Sequence, residues 1–441
     1  MKLYNRVRKK GYASTILKGS SFSFFINIFN LIVAFILQLV LARILGVESF
    51  GYYSFATTLL AFLILPSKLG LDIVTTRYVS AYKSKDEYGM EKGVIKSTNN
   101  IVLCASIIIL CIAMVVILNL KSIDDEFKMT LLLSLLCVPF MALTVLRQSA
   151  LQAYRLILYA QLPEKVIRPI LMILFSLFSY FVFKDILTSI FAIILFLLCN
   201  IIAFIIGAYF LNKKVTKNLK HISPEYRIKE WIHVAIPLMF VSAMYLLLGQ
   251  LDVLMLGMLD STDSSGVYSV SLKIASVVSF GILAVNTIAA PMISEAFAQK
   301  DIYKLKRISN FSSLLGSVVA LISITILFLF SNIILGFFGE DFKDGAVPVI
   351  LLAVSNLINA LAGQTGTIMN MTGQQGSLGI VLFVTVILNF ILNLFLIPLY
   401  GMLGAGIATV LSTFVWNISM IILVKIKHGF NPSIFGLLSK K

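Results

Sequence analysis

Six charged side chains interrupt or adjoin long apolar runs in this chain: Asp72, Arg77, Arg147, Asp252, Lys273 and Glu295. A Lys or Asp at the centre of a bilayer helix costs about 2.5–3.5 kcal/mol on insertion scales, so such residues are functional candidates by default. Asp252 and Lys273 lie deepest, at comparable depth in two consecutive, antiparallel apolar segments. A desolvated carboxylate favours the protonated form unless a neighbouring cation opposes that. Asp252 is therefore the candidate carrier of a coupling H+ or Na+, with Asp72 as a shallower second. Lys273 has three readings: it snorkels toward water, it pairs with Asp252, or it contacts a phosphate or a sugar. Arg147 and Arg155 could grip a diphosphate through forked hydrogen bonds, or anchor loops at the membrane surface. Arg77, close to Asp72, has the same two readings.

Amides supply a second kind of chemistry. Asn27, Asn30 and Gln38 fall near one face of the first apolar run. Ser269, Lys273 and Ser276 mark the eighth, Asn356, Asn359, Gly363, Thr367 and Asn370 the tenth, and Thr385, Asn389 and Asn393 the eleventh. An amide facing lipid is poorly satisfied, so these stripes either glue helices together or line a shared hydrated path. Asn30, Gln38, Asn359 and Asn389 are the members expected to face a ligand. Tyr52, Tyr53 and Tyr268 read as interfacial belt residues, with stacking on sugars as the alternative.

Other chemistries have no footing. The sequence lacks G-x-x-x-x-G-K-[ST], so ATP hydrolysis by a P-loop is excluded, and His221, His233 and His428 have no metal-ligand spacing. Neither a metal nor another cofactor is expected. Cys104, Cys111, Cys137 and Cys199 all fall in apolar runs and read as small buried side chains. Outer loops are too short to house a glycosyl-transfer site, so the chain does not read as an enzyme.

The elements that must position these residues are membrane helices. The chain is 59% hydrophobic and 13% charged, with a mean hydropathy of +0.97, a composition outside the soluble range. Crossing the hydrocarbon takes about 20 apolar residues. Twelve spans are predicted, at roughly 20–42, 50–70, 95–119, 128–150, 162–183, 186–211, 232–258, 266–290, 308–333, 345–369, 377–399 and 402–424. The first is too long in its apolar core, and lacks the A-x-A site, to be a cleaved signal. With the N-terminus in the cytoplasm, 30 of the 36 Lys and Arg fall in cytoplasmic segments, which places both termini inside by the positive-inside rule. The net charge of +16 then reads as contact with anionic lipid headgroups, not nucleic acid.

Residues 212–230 form the longest basic, polar connection and divide the chain into six-span halves, 1–211 and 231–441. Gly51-Tyr52-Tyr53-Ser54 opens the second span and Gly266-Val267-Tyr268-Ser269 the eighth. An even number of spans gives both halves the same orientation, and such repeats are related by an axis along the membrane normal. The expected fold is thus an all-α polytopic membrane protein of about twelve helices in two six-helix lobes, related by a pseudo-twofold along that normal.

Several segments carry a resemblance to a known family. They are Leu41-Ala42-Arg43-Ile44-Leu45-Gly46 with Phe50-Gly51-Tyr52-Tyr53, then Leu69-Gly70-Leu71-Asp72 leading to Arg77-Tyr78-Val79. Pro237, Leu251 to Gly257 and Gly266-Val267-Tyr268 follow, and Gly401 to Thr409 enters the last span. In this order the chain resembles the polysaccharide (Wzx-type, O-antigen-like) flippase branch of the multidrug/oligosaccharidyl-lipid/polysaccharide exporter superfamily. The resemblance implies a transporter in the cytoplasmic (inner) membrane that moves an undecaprenyl-diphosphate-linked oligosaccharide to the outer leaflet. It also implies alternating access, an ion gradient as the drive, and polysaccharide polymerases or glycosyltransferases as partners. Lipid II flippases differ in having fourteen spans and an Arg-Asp pair in span one, where this chain reads Leu37-Gln38. Two other functions stay open: a multidrug or metabolite cation antiporter of the same superfamily, and a membrane-embedded glycan polymerase or ligase.

Overall fold

The computed structural model describes residues 26–120, 123–182, 188–279, 285, 289, 292–297 and 299–437, with the backbone of 2–25. In hydrocarbon every peptide group must be satisfied within its own segment, and the regular structure among the described residues is helical. Ten of these helices are long and apolar enough to cross a membrane. One, Ile26–Lys68, runs 43 residues, about 65 Å at 1.5 Å per residue and twice the thickness of a bilayer core. It is broken at Gly46, where φ is 72° and ψ 177°, a conformation essentially reserved for glycine. The break leaves one span's length on each side, as the sequence predicts for 20–42 and 50–70. The expected span 266–290 is helical over Thr262–Ala275, and part of it lies outside the described residues. The protein is an all-α polytopic membrane protein, compatible with twelve crossings.

The chain forms two compact units, residues 1–45 with 56–243, and residues 46–55 with 244–441. The first holds most of α1 (Lys2–Lys68), then α2 (Leu71–Ser84), α3 (Tyr88–Leu118), α4 (Asp125–Leu135) and α5 (Cys137–Ala153). Next come α6 (Ile157–Leu162), a π turn (Pro163–Ile167), α7 (Arg168–Val182), α8 (Ser189–Lys214) and the start of α9 (Ile228–Leu259). Leu60, Val74, Val94, Val138 and Leu146 build its core. Two glycines allow backbones to touch: a Cβ at Gly70 would lie 2.3 Å from the Ala235 carbonyl oxygen, and one at Gly93 would lie 1.6 Å from that of Glu225. The connection 212–230 is pinned along α3, because Lys92 Nζ donates to the carbonyls of Lys220 and Ile222 at 3.0 and 2.7 Å. The Glu225 amide adds a bond to the Gly89 carbonyl at 2.9 Å.

The second unit holds the rest of α9, α10 (Thr262–Ala275), α11 (Ile302–Gly336) and α12 (Ala346–Ala362). It closes with α13 (Thr365–Met371), α14 (Gln375–Tyr400) and α15 (Met402–His428). Here the two similar segments read in the sequence meet at equivalent positions. A Cβ at Gly266 would lie 2.8 Å from the Gly51 Cα, and Ser54 donates to Ser269 at 2.6 Å.

Lipid-facing surfaces are apolar, as on α3, where Ile108, Ile112 and Val115 are more than half exposed. Cys104 and Cys111 lie on exposed surface too, which corrects their reading as buried residues; Cys137 and Cys199 are buried, and all four are free thiols. One heptad of spacing put Cys104 and Cys111 on a common face but could not say which.

Candidate functional site

Asp252, in α9, is 6% exposed. Its carboxylate accepts hydrogen bonds from Tyr268 Oη of α10 at 3.0 Å, Asn393 Nδ2 of α14 at 2.7 Å, and Thr409 Oγ1 of α15. Asn389, one turn from Asn393, accepts from the same Nδ2 at 3.1 Å and donates to Ser412 Oγ at 3.3 Å. The local reason is spacing: residues i and i+4 share a helix face, so α14 presents both amides to the carboxylate. Four helices therefore converge on one acid. No Lys or Arg forms an ion pair with it among the described residues.

That last point decides the chemistry. A buried carboxylate met only by neutral donors retains its charge in low dielectric, at a cost of several kcal/mol unless a cation or proton joins it. Hard cations select oxygen ligands, and the cluster offers a carboxylate, two amide carbonyls and the Thr409 hydroxyl. Asn393 Oδ1 is buried with no hydrogen-bond partner, so one ligand oxygen is already unclaimed. Among the described residues no group of three or more His, Cys, Asp or Glu could hold a metal ion. The donor set suits a monovalent cation or a proton.

The first unit treats its charges differently. Arg147, on α5, is 3% exposed and pairs with Glu164 in the π turn. It also donates to the carbonyls of Ala203 and Phe204 on α8 at 3.2 and 2.8 Å. Gln148 Nε2 donates to the other Glu164 oxygen at 2.6 Å. Gly207 makes the room, since a Cβ there would lie 2.0 Å from the Arg147 guanidinium. The π turn sends the next residue elsewhere: Lys165 Nζ donates to Asn27 Oδ1 at 2.6 Å, and Asn30 Nδ2 donates to the Lys165 carbonyl at 3.3 Å. Single π turns inside α-helices recur at functional sites. Gln38 Oε1 and Gln161 Oε1 are buried in this unit without partners.

Several expectations need correction. Lys273 does not pair with Asp252, because Tyr268 occupies the face of α10 that meets the acid. Five residues along a helix place Lys273 about 140° around from Tyr268. Tyr268 is fully buried and serves Asp252 instead of a membrane belt. Arg147 does not stand open at a cytoplasmic mouth; its two terminal guanidinium nitrogens are held by Glu164 and two carbonyls, and its Nε is buried without a partner. Asp72 pairs with Lys68 at 2.7 Å, and Arg77 is exposed, with its guanidinium carbon 5.8 Å from the Tyr78 ring centroid.

Of the expected ligand-facing residues, the structure brings Asn389 to Asp252 and keeps the others apart from it. Asn30 lies beside Lys165, Gln38 is half-buried on the same helix, and Asn359 accepts from Asn417 Nδ2 at 2.6 Å. Asn393 and Thr409 complete the Asp252 cluster; both stood in quoted segments, but only their helical phase assigns them. Glu164 and Lys165 read only as charges at the cytoplasmic end of the predicted span 162–183 and are not singled out. The Pro at position 163 concealed that helix continues through it.

Residues 16–297 match the family model described as polysaccharide biosynthesis protein, and residues 237–399 match the MatE model. Among curated proteins, the chain is similar to a probable flippase, AglR, of Haloferax volcanii, 28% identical over 37% of this chain and 35% of that protein. A probable low-salt glycan biosynthesis flippase, Agl15, of the same organism is 23% identical over 37% and 34%. The chain thus spans about a third of the length of these two relatives. An uncharacterized membrane protein of Methanocaldococcus jannaschii, MJ1068, is 20% identical over 95% of this chain and 86% of its own. The fold is similar to an inward-facing multidrug resistance MATE family transporter of the MOP superfamily, at TM-score 0.71 and 14% identity over 92% and 96% of the two chains. It is similar also to the lipid II flippase MurJ, at TM-score 0.71 and 18% identity over 94% and 90%. A buried acid held by four helices, a family model covering more than half of the chain and this shared fold lead to one conclusion: the chain belongs to the polysaccharide biosynthesis protein family and has the MOP superfamily transporter fold.

Proposed function

We propose that this protein is a flippase that carries an undecaprenyl-diphosphate-linked oligosaccharide, an O-antigen, capsule or related polysaccharide unit, from the inner to the outer leaflet of the cytoplasmic membrane. Alternating access of the six-span halves, 1–211 and 231–441, moves the headgroup while the polyprenyl tail stays in lipid. Binding of Na+ or H+ at Asp252 supplies the drive. The observation that carries this reading is the Asp252 cluster, a buried acid without a resident counter-charge, in a chain of the polysaccharide biosynthesis family. The names of the probable flippases among its relatives support it.

Asp252 with Asn389, Asn393 and Thr409 holds the coupling ion. Lys273, Asn30, Gln38 and Asn359, joined by Lys165, contact phosphate and sugar, and Arg77 meets the headgroup at the cytoplasmic surface, where both termini lie. Arg147 is reassigned from ligand to strut. Asp72, bound to Lys68, is a weaker ion candidate than Asp252. Polymerases and glycosyltransferases of the same glycan are the expected partners.

The test is deletion of the gene, followed by measurement of lipid-linked sugar in each leaflet and complementation with Asp252→Asn. Accumulation in the inner leaflet, relieved by the wild-type chain and not by the variant, is the expected result. Unchanged glycans with altered drug tolerance would replace the flippase with the cation antiporter, and glycan chains shortened without leaflet accumulation would point to a polymerase.

A further inference from the structure

Five residues close a ring of hydrogen bonds at the ion seat. Asn393 Nδ2 donates to Asp252 Oδ1 at 2.7 Å and to Asn389 Oδ1 at 3.1 Å. Asn389 Nδ2 donates to Ser412 Oγ at 3.3 Å, and Ser412 Oγ donates to the Thr409 carbonyl at 3.1 Å. Thr409 Oγ1 then returns to Asp252 Oδ2. The ring joins α9, α14 and α15 within the second unit. Asp252, Asn389, Asn393 and Ser412 are each more than nine-tenths buried. Ser412 is the member that bonds to the other ligands and not to the carboxylate itself.

The ring has a direction, and its donors and acceptors fix it. A carboxylate and a peptide carbonyl only accept hydrogen bonds. Asn393 therefore turns its NH2 group to Asp252, and Ser412 directs its single proton at its own helix, three residues back. With that proton committed, Ser412 Oγ accepts from Asn389, so the Asn389 oxygen faces Asn393. Both protons of Asn393 Nδ2 are then in use, and Asn393 Oδ1 is left buried without a partner. Without Ser412 the Asn389 amide is free to turn, and an N–H group would then face an incoming cation.

We propose that Ser412 is a positioning residue for sodium binding. By holding the Asn389 amide it sets the polarity of the ring, so that amide oxygens and not N–H groups are presented beside Asp252. Hard cations select oxygen ligands, and the orphan oxygen of Asn393 is the one this polarity leaves over. The inference rests on the ion seat proposed at Asp252 and is independent of which lipid-linked sugar is carried.

The experiment titrates Na+ into the full-length protein in detergent at constant ionic strength, with choline as the replacing cation, and reads the Kd from the melting temperature. Ser412→Ala should weaken Na+ binding roughly tenfold, the scale of one hydrogen bond lost from a buried network. Its melting temperature in choline alone should stay near that of the wild type. A double-mutant cycle with Asn389→Ala separates positioning from packing. If Ser412 acts through Asn389, Ser412→Ala weakens Na+ binding no further once residue 389 is alanine. Additive losses, unchanged affinity in Ser412→Ala, or a melting temperature that falls as far in choline as in sodium each overturn the proposal and leave Asp252 as the seat. A wild-type chain that does not respond to Na+ overturns it without any variant having to fold, and removes sodium as the coupling ion too. Glycan flipping is scored separately by the leaflet measurement, so failure of the flippase reading is distinct from both results.

Discussion

Glu164 and Asp252 are both carboxylates buried within membrane helices, yet their surroundings are opposite. Glu164 has a full cation on it, and that cation is itself fastened to two carbonyls of α8 and fitted over a glycine. Asp252 has two hydroxyls and an amide. The first arrangement is complete: nothing mobile has to arrive for its charge to balance. The second is balanced only when something small and positive is present. A buried acid paired to Arg is a strut, and a buried acid served by neutral donors is a seat.

The largest effect that can break this contrast is on stability. Arg147→Ala leaves Glu164 buried and unpaired and should cost about 3–5 kcal/mol, read as a lower melting temperature in detergent; the double variant with Glu164→Gln should recover most of it. If Arg147→Ala melts like the wild type, the strut reading fails. Next is the ion response. A ligand at a hundred times its Kd stabilises by about 2.7 kcal/mol, so saturating Na+ should raise the wild-type melting temperature while Asp252→Asn shows no shift. A shift with pH and none with Na+ would assign the seat to a proton. Smaller still, Tyr268→Phe removes one hydrogen bond to a carboxylate, worth about 1.5–3 kcal/mol at most, and should weaken the Na+ response without erasing it.

The smallest effect belongs to a third acid, Glu295, which is exposed. A hydrogen bond and charge attraction from Lys304 hold its carboxyl below the usual carboxylate range. Its contribution is present above the ordinary carboxylate pKa and is lost as pH falls through the depressed one. Lys304→Met should therefore lower the melting temperature slightly at neutral pH and leave it unchanged below the depressed pKa, so that the acid limb of the profile flattens. A large change at pH 7 would mean that exposure does not rank these three acids as described.

Most of the fold was legible because membrane helices declare themselves by length and hydropathy, and Gly46 and Gly51 marked the first turn. Depth was legible only in part: Asp252 meets α10 at Tyr268, and Lys273 lies five residues further along that helix. Angle was not. Whether Tyr268 or Lys273 faces the acid depends on how α10 is rotated, which is set by packing at Gly266 and Ser271 and leaves no mark in local sequence. The π turn was hidden for a related reason. Pro163 with two charges after it reads as a boundary, and only the partners on α5 and α1 show that Glu164 and Lys165 are inside the bundle.

The crossing of Gly51 with Gly266 has one more consequence. Two bare stretches of backbone touch there, and a serine-to-serine bond lies beside them. The bare backbones let Phe50, Val267 and Tyr268 pack around the junction with almost no exposure, so the closeness of the two glycines sets how tightly this part of the unit is sealed. Any bulkier residue at either glycine would wedge the junction ajar.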